Sequence, residues 1–555
     1  LINTPYNVLY INYGYKERNK MRVLSLHDSH NASICEINNN EIIYYQEAER
    51  INKEKKTNNW TVLFEKYQDE CFDKIIFVFS YNPKNQSVIK ILKNILNKKN
   101  LKYKDLIIET GEHHFFHACS AFFNSGLQKS YVLVADGHGN HVEKKTKTVS
   151  EIVSVYYFNK NKFKKIFKLY QSDDEEVIGR DVYINTISLG QFFDSIKNLF
   201  KLKEPGSVMG YSSYGDEDPN NFSSLFFKKK FNHFQFKQVF FYDLLYAHNK
   251  KNKRNSVFET SVRAQRELEI IVLNYVKNII KNKNRNLCVS GGVFMNTVLN
   301  SKILDICPNL YVDPFADDSG ISMGAAQWHT NKNKFSGKKI KNLFLGDPPN
   351  YTGLSKKQGY DVTPKDVAKL ISEKNIIGIY QGRNEMGKRA LGNRSFLFDP
   401  RDHSAKEKIN LLKEREWFRP AAGTVLHDKT NEWFDIKLKK ETPYMSYVFK
   451  VKKHSIPGIT HVDDTCRIQT LKKNENFHFY NLIHEFYKIT GIPILGNTSL
   501  NLAGQPLVNE IEDLKKLYIN HNFGIYLNFK YIYFPELNKI YDGDYFKKLI
   551  IGKIN

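Results

Sequence analysis

The sequence lacks any apolar run near the ~18 residues that a bilayer-spanning helix needs. Its N-terminus lacks the charged and then apolar pattern of a secretory signal. The six cysteines are scattered without a CxxC pair, which argues against both a disulfide framework and a thiolate zinc site. These absences predict a cytoplasmic protein that does not span a membrane.

Acidic residues are also scarce, with 59 Asp and Glu against 83 Lys and Arg, for a net charge of +24. One interpretation is a polyanionic partner, most obviously a nucleic acid. The other is that the Lys- and Asn-rich stretches, such as "NKKNLKYK" and "NKNKFSGKKIK", are solvated loops that reflect an AT-rich genome. The composition alone leaves both interpretations open.

The 555 residues, 41% of them hydrophobic, predict two or three domains with large cores. Short apolar strands such as "KIIFVFS", "SYVLVADG" and "NLCVSGG" alternate with amphipathic patterns, which predicts an α/β fold with ligands at the strand ends. We expect an N-terminal extension over residues 1–20 and a first domain over 21–350. A linker over 351–365 and a second α/β domain over 366–555 complete the predicted organisation.

Polar, small-residue turns follow the predicted strands of the first domain, in "HDSHNAS" (27–33), "VADGHGN" (134–140), "VSGGVFMN" (289–296) and "DPFADDSGISMGAA" (313–326). Glycines at such turns let backbone N–H groups approach phosphate oxygens. A single turn of this kind is usually only a hairpin, but several in one domain favour a nucleotide site. The candidate contacts to ATP or its adenylate are Asp28, Gly137, Gly139, Asn140, Gly291, Gly292 and Asn296.

The stretch "GEHHFFHACSAF" (111–122) carries three histidines. If it is helical, His113 and His117 lie on one face, whereas His114 points elsewhere. Imidazoles suit iron or zinc, and Asp136 and Asp318 at neighbouring strand ends are candidate oxygen ligands. The alternative is a histidine pair held by local hydrogen bonds, but the phosphate-type turns nearby favour the metal site.

The second domain concentrates Arg383, Lys388, Arg389, Arg394, Lys413, Arg415 and Arg419 among glycines and aromatic residues. Arg467 in "DDTCRIQT" adds another cation, and Asn497 and Ser499 in "GNTSLN" add amide and hydroxyl groups. Arginine forks bind phosphate and carboxylate bidentately, so the pattern predicts a pocket for a small phosphorylated compound. A structural salt-bridge network is the alternative.

From Met21 to the end, the chain resembles the O-carbamoyltransferases that modify nodulation factors and aminoglycoside or cephem antibiotics. The resemblance rests on "HDSHNAS", "HHFFHACSAF", "VADGHGN", "SGGVFMN", "GRNEMGKRALGNRSF", "KEREWFRPAAG" and "GNTSLN". It implies an N-terminal domain of the actin-like ATPase superfamily, similar to the tRNA-threonylcarbamoyl-transferring protein, and a C-terminal YrdC-like domain. Two departures are Ser207 and Lys388, where the family commonly has Lys and Pro.

The resemblance also implies a reaction. Carbamoyl phosphate is broken down in the YrdC-like pocket, the carbamoyl unit is joined to the α-phosphate of Mg-ATP, and the carbamoyl-adenylate then reacts with an acceptor hydroxyl in the first domain. The family's Fe(II) or Fe(III) site matches His113, His117, Asp136 and Asp318, and its general base matches His27. The carbamoyl-phosphate residues are then Arg389, Lys413, Arg415, Arg419, Arg467, Asn497 and Ser499, with Arg419 also needed for adenylate formation.

The acceptor is not specified by any motif. The charge excess favours a hydroxymethyl group on a pyrimidine of a nucleic acid or nucleotide, because phosphate neutralisation is the general source of nucleic-acid affinity. If the excess is only compositional, the hydroxyl of a small natural product or sugar is the better expectation. Threonylcarbamoyl transfer to tRNA and a catalytically silent nucleotide-binding protein are the remaining alternatives.

Overall fold

The computed structural model describes residues 21–533 apart from 80–85, 140, 145–146, 160–161, 216–225, 231–232, 238–252, 282–284, 332–338, 351–358, 438, 520–522 and 528–530. The predicted extension over residues 1–20 lies outside the described residues. Along the described chain, α/β units form two similar halves of a first domain and then a second domain.

The first half is built on a sheet whose strand order is β3-β2-β1-β4-β5. Antiparallel pairs join β1, β2 and β3, while β4 and β5 run parallel to β1. Strand β1 is almost entirely buried, which fits the apolar sequence "RVLSL". The strands are β1 (Arg22–His27), β2 (Ser33–Asn38), β3 (Glu41–Glu47), β4 (Cys71–Phe79) and β5 (Lys102–Thr110).

The second half repeats this order. Its sheet runs β10-β11-β9-β8-β6-β14-β15, so that β6, β8, β9, β14 and β15 take the places and directions of β1 to β5. The strands are β6 (Lys129–Ala135), β7 (His141–Lys144), β8 (Lys147–Asn159), β9 (Lys162–Gln171), β10 (Glu176–Ile178), β11 (Asp181–Ile184), β14 (Leu287–Ser290) and β15 (Leu310–Val312), with β12 (Phe227–Lys230) and β13 (His233–Phe236) as a separate hairpin. This duplicated order is the predicted actin-like ATPase architecture.

Helices connect and cover these sheets. They are α1 (Glu49–Asn52), α2 (Gln86–Lys98), α3 (His113–Ser125), α4 (Leu189–Leu199), α5 (Gly206–Tyr211), α6 (Lys253–Ile280), α7 (Thr297–Ile306) and α8 (Gly320–Asn331). Helices α3 and α8 follow the last strand of each half and pack closely, since a Cβ on Gly324 would lie 1.9 Å from the Phe116 carbonyl oxygen. This close approach requires glycine and fixes α3 between the two halves.

The second domain is a mixed sheet in the order β16-β24-β23-β17-β18-β22-β19-β21-β20. Its strands are β16 (Gly359–Asp361), β17 (Ile377–Tyr380), β18 (Arg394–Phe398), β19 (Ala422–Leu426), β20 (Val448–Lys450), β21 (Thr465–Leu471), β22 (Ile494–Ser499), β23 (Gly524–Leu527) and β24 (Tyr531–Tyr533). Helices α9 (Pro364–Ser372), α10 (Ala405–Leu412), α11 (Thr430–Trp433), α12 (Phe477–Thr490) and α13 (Ile511–Ile519) complete this second α/β domain.

The boundary between the domains differs from the predicted linker over 351–365. Strand β16 pairs with β24, and α9 begins at Pro364 with a capping box formed by Thr363 and Asp366. Both elements belong to the second domain, since β16 joins its sheet and α9 packs against α12. The sequence did not indicate them, because residues 351–365 are mostly polar or small. In the described part of the chain, no helix is both long and apolar enough to cross a bilayer.

Candidate metal centre and anion pocket

Four side chains converge between the two halves of the first domain. Helix α3 begins at His113 and places His113 and His117 one turn apart, and both side chains are buried. The His113 Nε2 atom lies 3.4 Å from Asp136 and 3.5 Å from Asp318, and His117 Nε2 lies 3.3 and 3.6 Å from the same carboxylates. The four candidate ligand atoms all lie within 4.8 Å of one another.

This arrangement fits a metal ion better than a hydrogen-bond pair. Although a carboxylate oxygen is 3.3 Å away, His117 Nε2 is buried without a hydrogen-bond partner among the described residues. Burial lowers the pKa of His113, but Asp318 and Asp136 outweigh it and raise this pKa to about 10. Two imidazoles and two carboxylates facing one point are a donor set for zinc or iron.

A second layer orients His117. Its Nδ1 atom lies 3.3 Å from Ser290 Oγ, and that hydroxyl donates to Asp313 Oδ2 at 3.5 Å. All three side chains are buried, and burial raises the pKa of Asp313. The other ring nitrogen of a metal-binding histidine is typically held by such a partner, which fixes the ring orientation. Ser290 therefore couples Asp313 to the metal centre.

We expect Ser290→Ala to weaken metal binding by about 10- to 100-fold, the usual effect of losing an outer-shell partner. A titration of the purified protein against a chromophoric chelator measures this affinity. Ser322→Ala is the matched control, since Ser322 is equally buried and its hydroxyl pairs with Ser33 instead. Equal affinities for the two variants would contradict the orienting role of Ser290.

The predicted phosphate-type turns surround this centre. Gly291 has φ +97°, and a Cβ at this position would lie 2.2 Å from the Ala135 carbonyl oxygen. The backbone N–H groups of Gly137 and Gly292 both donate to Asp136 Oδ1, at 2.7 and 3.2 Å. Glycine is thus required at 291, and the turns after β6 and β14 are held together at the metal ligand.

The remaining predicted nucleotide contacts have varied positions. Asp28 directly follows β1, and the Gly139 N–H donates to the Glu151 carbonyl at 2.8 Å. The Asn296 side chain caps α7 by accepting from the Leu299 N–H and also donates to Gln265 Oε1 at 2.7 Å, so it has a structural task. Asn140 lies outside the described residues.

His27 ends β1 and is completely buried. Its ring centroid lies 6.1 Å from that of His113. Burial, opposed by Asp318, holds the pKa of His27 well below its usual range. A neutral imidazole beside the metal centre has the protonation state that a general base requires.

The second domain forms a pocket of cations. Arg389, Arg415, Arg419 and Arg467 are half-buried, Lys413 is buried, and Asn497 and Ser499 lie on β22 beside them. Burial, together with Arg419, lowers the pKa of Arg415 to about 9. Burial, together with Arg389, Arg415 and Arg419, holds the pKa of Arg467 well below its usual range. A bound anion would relieve the repulsion among these crowded cations.

Unpaired polar atoms support this conclusion. Arg415 Nη2, Arg467 Nε and Asn497 Oδ1 are buried without a hydrogen-bond partner among the described residues. Leaving buried donors unpaired costs roughly 1–3 kcal/mol each, and more when they are charged. An anion that accepts from these guanidinium groups would recover this cost.

The cation pocket adjoins the first domain. Arg389 Nη2 donates to the Met295 carbonyl at 3.0 Å, within the "SGGVFMN" turn. Arg419 Nη1 donates to Ser207 Oγ at 2.9 Å, and its Nη2 pairs with Glu204 at 3.0 Å. Ser207, which replaces the family's usual Lys, thus accepts from Arg419. A phosphate chain at the turn would therefore reach the arginines.

Three of the clustered cations instead support the structure. Arg394 is buried against Tyr380, with its Cζ 3.8 Å from the ring centroid, and donates to backbone carbonyls. Arg383 donates to carbonyls of Ile43 and Gly346, at 2.9 and 2.8 Å. Lys388 pairs with Asp317 at 2.8 Å. The interpretation as a structural network applies to these three residues.

Sequence reasoning assigned no task to Ser290, Asp313 or Glu204, and it noted Ser207 only as a departure from the family. Ser290 and Asp313 lie within the quoted turns, but the task of each of these side chains depends on a partner distant in sequence. Glu204 could not be recognised from the sequence, because its ion-pair partners Lys55 and Arg419 are distant from it along the chain.

Comparison with known proteins gives consistent matches. The family model for the carbamoyltransferase N-terminus matches residues 28–327, and that for the carbamoyltransferase C-terminus matches residues 368–532. An uncharacterized protein of Methanocaldococcus jannaschii is 30% identical over 92% of this chain and 99% of its own length. The nodulation protein NolNO of Sinorhizobium fredii is 30% identical over 72% of this chain and 60% of its own length.

Among solved structures, HypF of T. kodakarensis is similar at 10% sequence identity and a TM-score of 0.32, over 57% of this chain and 49% of that one.

Proposed function

The chain belongs to the carbamoyltransferase family, and from this premise we propose that it transfers a carbamoyl group from carbamoyl phosphate to a hydroxyl through carbamoyl-adenylate. The two pockets divide the reaction between them. The observation that carries the proposal is the set of unpaired guanidinium and amide atoms in the second domain, next to an arginine that contacts the nucleotide turn.

The first half-reaction belongs to the cation pocket. Arg415, Arg467 and Asn497 bind carbamoyl phosphate, and water cleaves it to carbamate and phosphate. A carbamate oxygen then attacks the α-phosphate of Mg-ATP and pyrophosphate leaves, which yields carbamoyl-adenylate. Arg389 and Arg419 counter the charge that develops on the phosphates. The product carries a better leaving group than free carbamate does.

The second half-reaction belongs to the first domain. His113, His117, Asp136 and Asp318 would hold an iron ion, and such an ion would supply a Lewis acid for the carbamoyl carbonyl. The backbone N–H groups of Gly137 and Gly292 hold the Asp136 carboxylate in place by donating to its Oδ1 atom. Neutral His27 accepts the proton of the acceptor hydroxyl as its oxygen attacks the carbamoyl carbon, and AMP leaves.

For the acceptor we propose a hydroxymethyl group on a pyrimidine, as a nucleotide or within a nucleic acid. The net charge of +24 supports a phosphate-bearing acceptor. A sugar hydroxyl is the second candidate, which the similarity to nodulation proteins favours. Threonylcarbamoyl transfer would instead make the reaction depend on threonine.

Three measurements on the purified, iron-loaded protein test the proposal. With ATP and carbamoyl phosphate it should release pyrophosphate, and with a hydroxymethylcytosine nucleotide it should add one carbamoyl group, as seen by mass spectrometry. Adding threonine should change neither result. If neither pyrophosphate nor AMP forms under these conditions, the adenylate route is wrong.

Arg419→Ala is expected to lower pyrophosphate release by about 100-fold or more, the usual loss when one donor to developing charge is removed. Chemically prepared carbamoyl-adenylate should still be consumed by the variant, because its carbamoyl transfer takes place in the first domain. The two rates are measured side by side by chromatography of AMP and pyrophosphate. An equal loss in both would contradict the division into two pockets.

A further inference from the structure

Lys388 reaches from the second domain into the first. It lies between β17 and β18, and its Nζ atom is 2.8 Å from Asp317 Oδ2 and 3.3 Å from Glu47 Oε1. Both carboxylates are buried in the first domain, where Glu47 ends β3 and Asp317 lies between β15 and α8. Burial opposes the charge of Lys388, but Asp317, Glu47 and Glu49 outweigh it and raise the pKa of Lys388 above its usual range. The charged lysine therefore neutralises two buried carboxylates that would otherwise repel each other.

The backbone beside Lys388 fixes its position against the first domain. Gly387 has φ +88°, and a Cβ at this position would lie 2.9 Å from the Pro314 carbonyl oxygen. Glycine is favoured in such a conformation because it has no Cβ. The Gly387 carbonyl also accepts from Arg50 Nη2 at 3.4 Å. The segment that carries Lys388 is thus seated directly on the turn between β15 and α8.

Asp317 organises this turn, which also carries the metal ligand Asp318. Its Oδ1 atom accepts from Ser319 Oγ at 2.5 Å, and its Oδ2 atom accepts from Asn31 Nδ2 at 2.6 Å. Its carbonyl accepts from the N–H of Gly320, the first residue of α8, at 2.9 Å. With the lysine as a further partner, the Asp317 side chain is held from three sides.

The neighbouring Asp318 is held by the same part of the chain. Its Oδ1 atom lies within 3.6 Å of both metal-binding histidines, whereas its Oδ2 atom accepts from Ser29 Oγ at 3.2 Å. Ser29 and Asn31 belong to one turn after β1, so this turn binds both acidic residues. Because Asp317 and Asp318 are adjacent, a displacement of Asp317 would turn the Asp318 carboxylate away from the metal centre.

We propose that Lys388 is a positioning residue of the metal centre, which holds Asp317 and thereby keeps the Asp318 carboxylate directed at the ion. Proline, which the family commonly has at this position, could not make this contact, because its ring carries neither a charge nor a donor. The inference rests on the proposed function, since the metal centre serves the second half-reaction. It adds a contribution of the second domain to that centre.

Cobalt binding to the metal-free, full-length protein tests this role without turnover. We expect Lys388→Met to raise the dissociation constant for Co²⁺ by about 10- to 100-fold, the usual effect of losing a partner that orients a ligand. A chelator competition measures the affinity, and the visible absorption of bound Co²⁺ should change because it depends on the coordination geometry. Lys388→Arg keeps the charge and should restore both the affinity and the absorption.

Lys439→Met is the matched control. Lys439 is also a half-buried lysine of the second domain that contacts the first, since its Nζ donates to the Leu310 carbonyl at 2.7 Å. Leu310 begins β15, whereas Asp317 follows the end of that strand. Loss of this lysine removes a contact between the domains but leaves the turn before α8 intact, so the affinity for Co²⁺ should not change.

Two further variants separate positioning from folding. Lys388→Met leaves two buried carboxylates unpaired, which lowers stability. Combining it with Glu47→Gln removes one of these charges but still leaves Asp317 without its cation, so Co²⁺ should remain weakly bound. Combining Lys388→Met with Asp317→Asn should bind Co²⁺ no more weakly than Asp317→Asn does, because groups that act through one another give non-additive losses.

Wild-type affinity and absorption in Lys388→Met, additive losses in the variant that also carries Asp317→Asn, or an equal loss in Lys439→Met would overturn the role of Lys388. If the wild-type protein itself bound no Co²⁺, the metal centre would be wrong and the role of Lys388 with it. Pyrophosphate release by the wild-type protein reports on the proposed reaction alone, so a failure of that reaction is distinguishable from a failure of the positioning role.

Discussion

His113→Ala is expected to lose the bound metal and to lower carbamoyl transfer by at least about 1,000-fold, because an ion that polarises the carbonyl supplies several kcal/mol of the barrier reduction. His113 provides one of the four candidate ligand atoms that lie within 4.8 Å of one another. Its removal takes away one of the two nitrogen donors, which leaves one imidazole and two carboxylates, a set less suited to iron or zinc. Elemental analysis of the purified variant measures the metal, and mass spectrometry of the acceptor measures the transfer.

His114→Ala is the matched control for this experiment. His114 lies on the same helix and is equally buried, but its Nδ1 atom lies 2.8 Å from Ser154 Oγ and its ring is not one of the four ligands. Both variants lose a buried imidazole, so circular dichroism and thermal unfolding should change similarly. Wild-type metal content in His113→Ala, or an equal metal loss in His114→Ala, would show that the ion is held elsewhere.

Arg467→Met should lower the rate of pyrophosphate release by about 100-fold or more, without lowering the thermal stability of the protein. The catalytic loss follows from removing a donor to the anion. Stability should not fall, because burial and the neighbouring Arg389, Arg415 and Arg419 hold the pKa of Arg467 well below its usual range. Methionine fills similar volume without charge, so the substitution relieves repulsion in the ligand-free protein.

Arg401→Met tests the alternative that any arginine of this domain would behave in the same way. Arg401 pairs with Asp399 at 2.6 Å and follows the end of β18 that lies away from Ser499, so its loss should leave pyrophosphate release unchanged. Thermal unfolding of both variants is followed with and without carbamoyl phosphate. If Arg467→Met unfolds several degrees below the wild-type protein, Arg467 is a structural cation and the anion pocket is wrong.

The strands were the most predictable feature. Buried, nearly continuous apolar runs such as "KIIFVFS" and "NLCVSGG" predicted β4 and β14, because strands covered on both faces need apolar side chains throughout. The boundary of the second domain was less predictable. Strand β16 contributes only three residues, and it is recognisable only through its pairing with β24, which lies far along the chain.

The metal centre shows how local and distant information combine. The spacing of His113 and His117 placed both on one helical face, and Asp136 and Asp318 were predicted as partners from their places at neighbouring strand ends. The packing of α3, which follows the first half, against the second half brings its two histidines to within 3.6 Å of Asp136 and Asp318. Ser290 and Asp313, which orient His117, lie within the quoted turns, but only the fold shows that they contact this histidine.

The sequence by itself therefore determined the α/β class, the helical face of the two histidines and the family, because these depend on periodicity and on ordered motifs. Only the tertiary structure decided which cations form the anion pocket. Arg394, Arg383 and Lys388 share the sequence context of Arg389, yet they are satisfied by carbonyls or by Asp317. The physical reason is that the role of a buried charge is set by the partners that folding brings to it, and these partners come from distant segments of the chain.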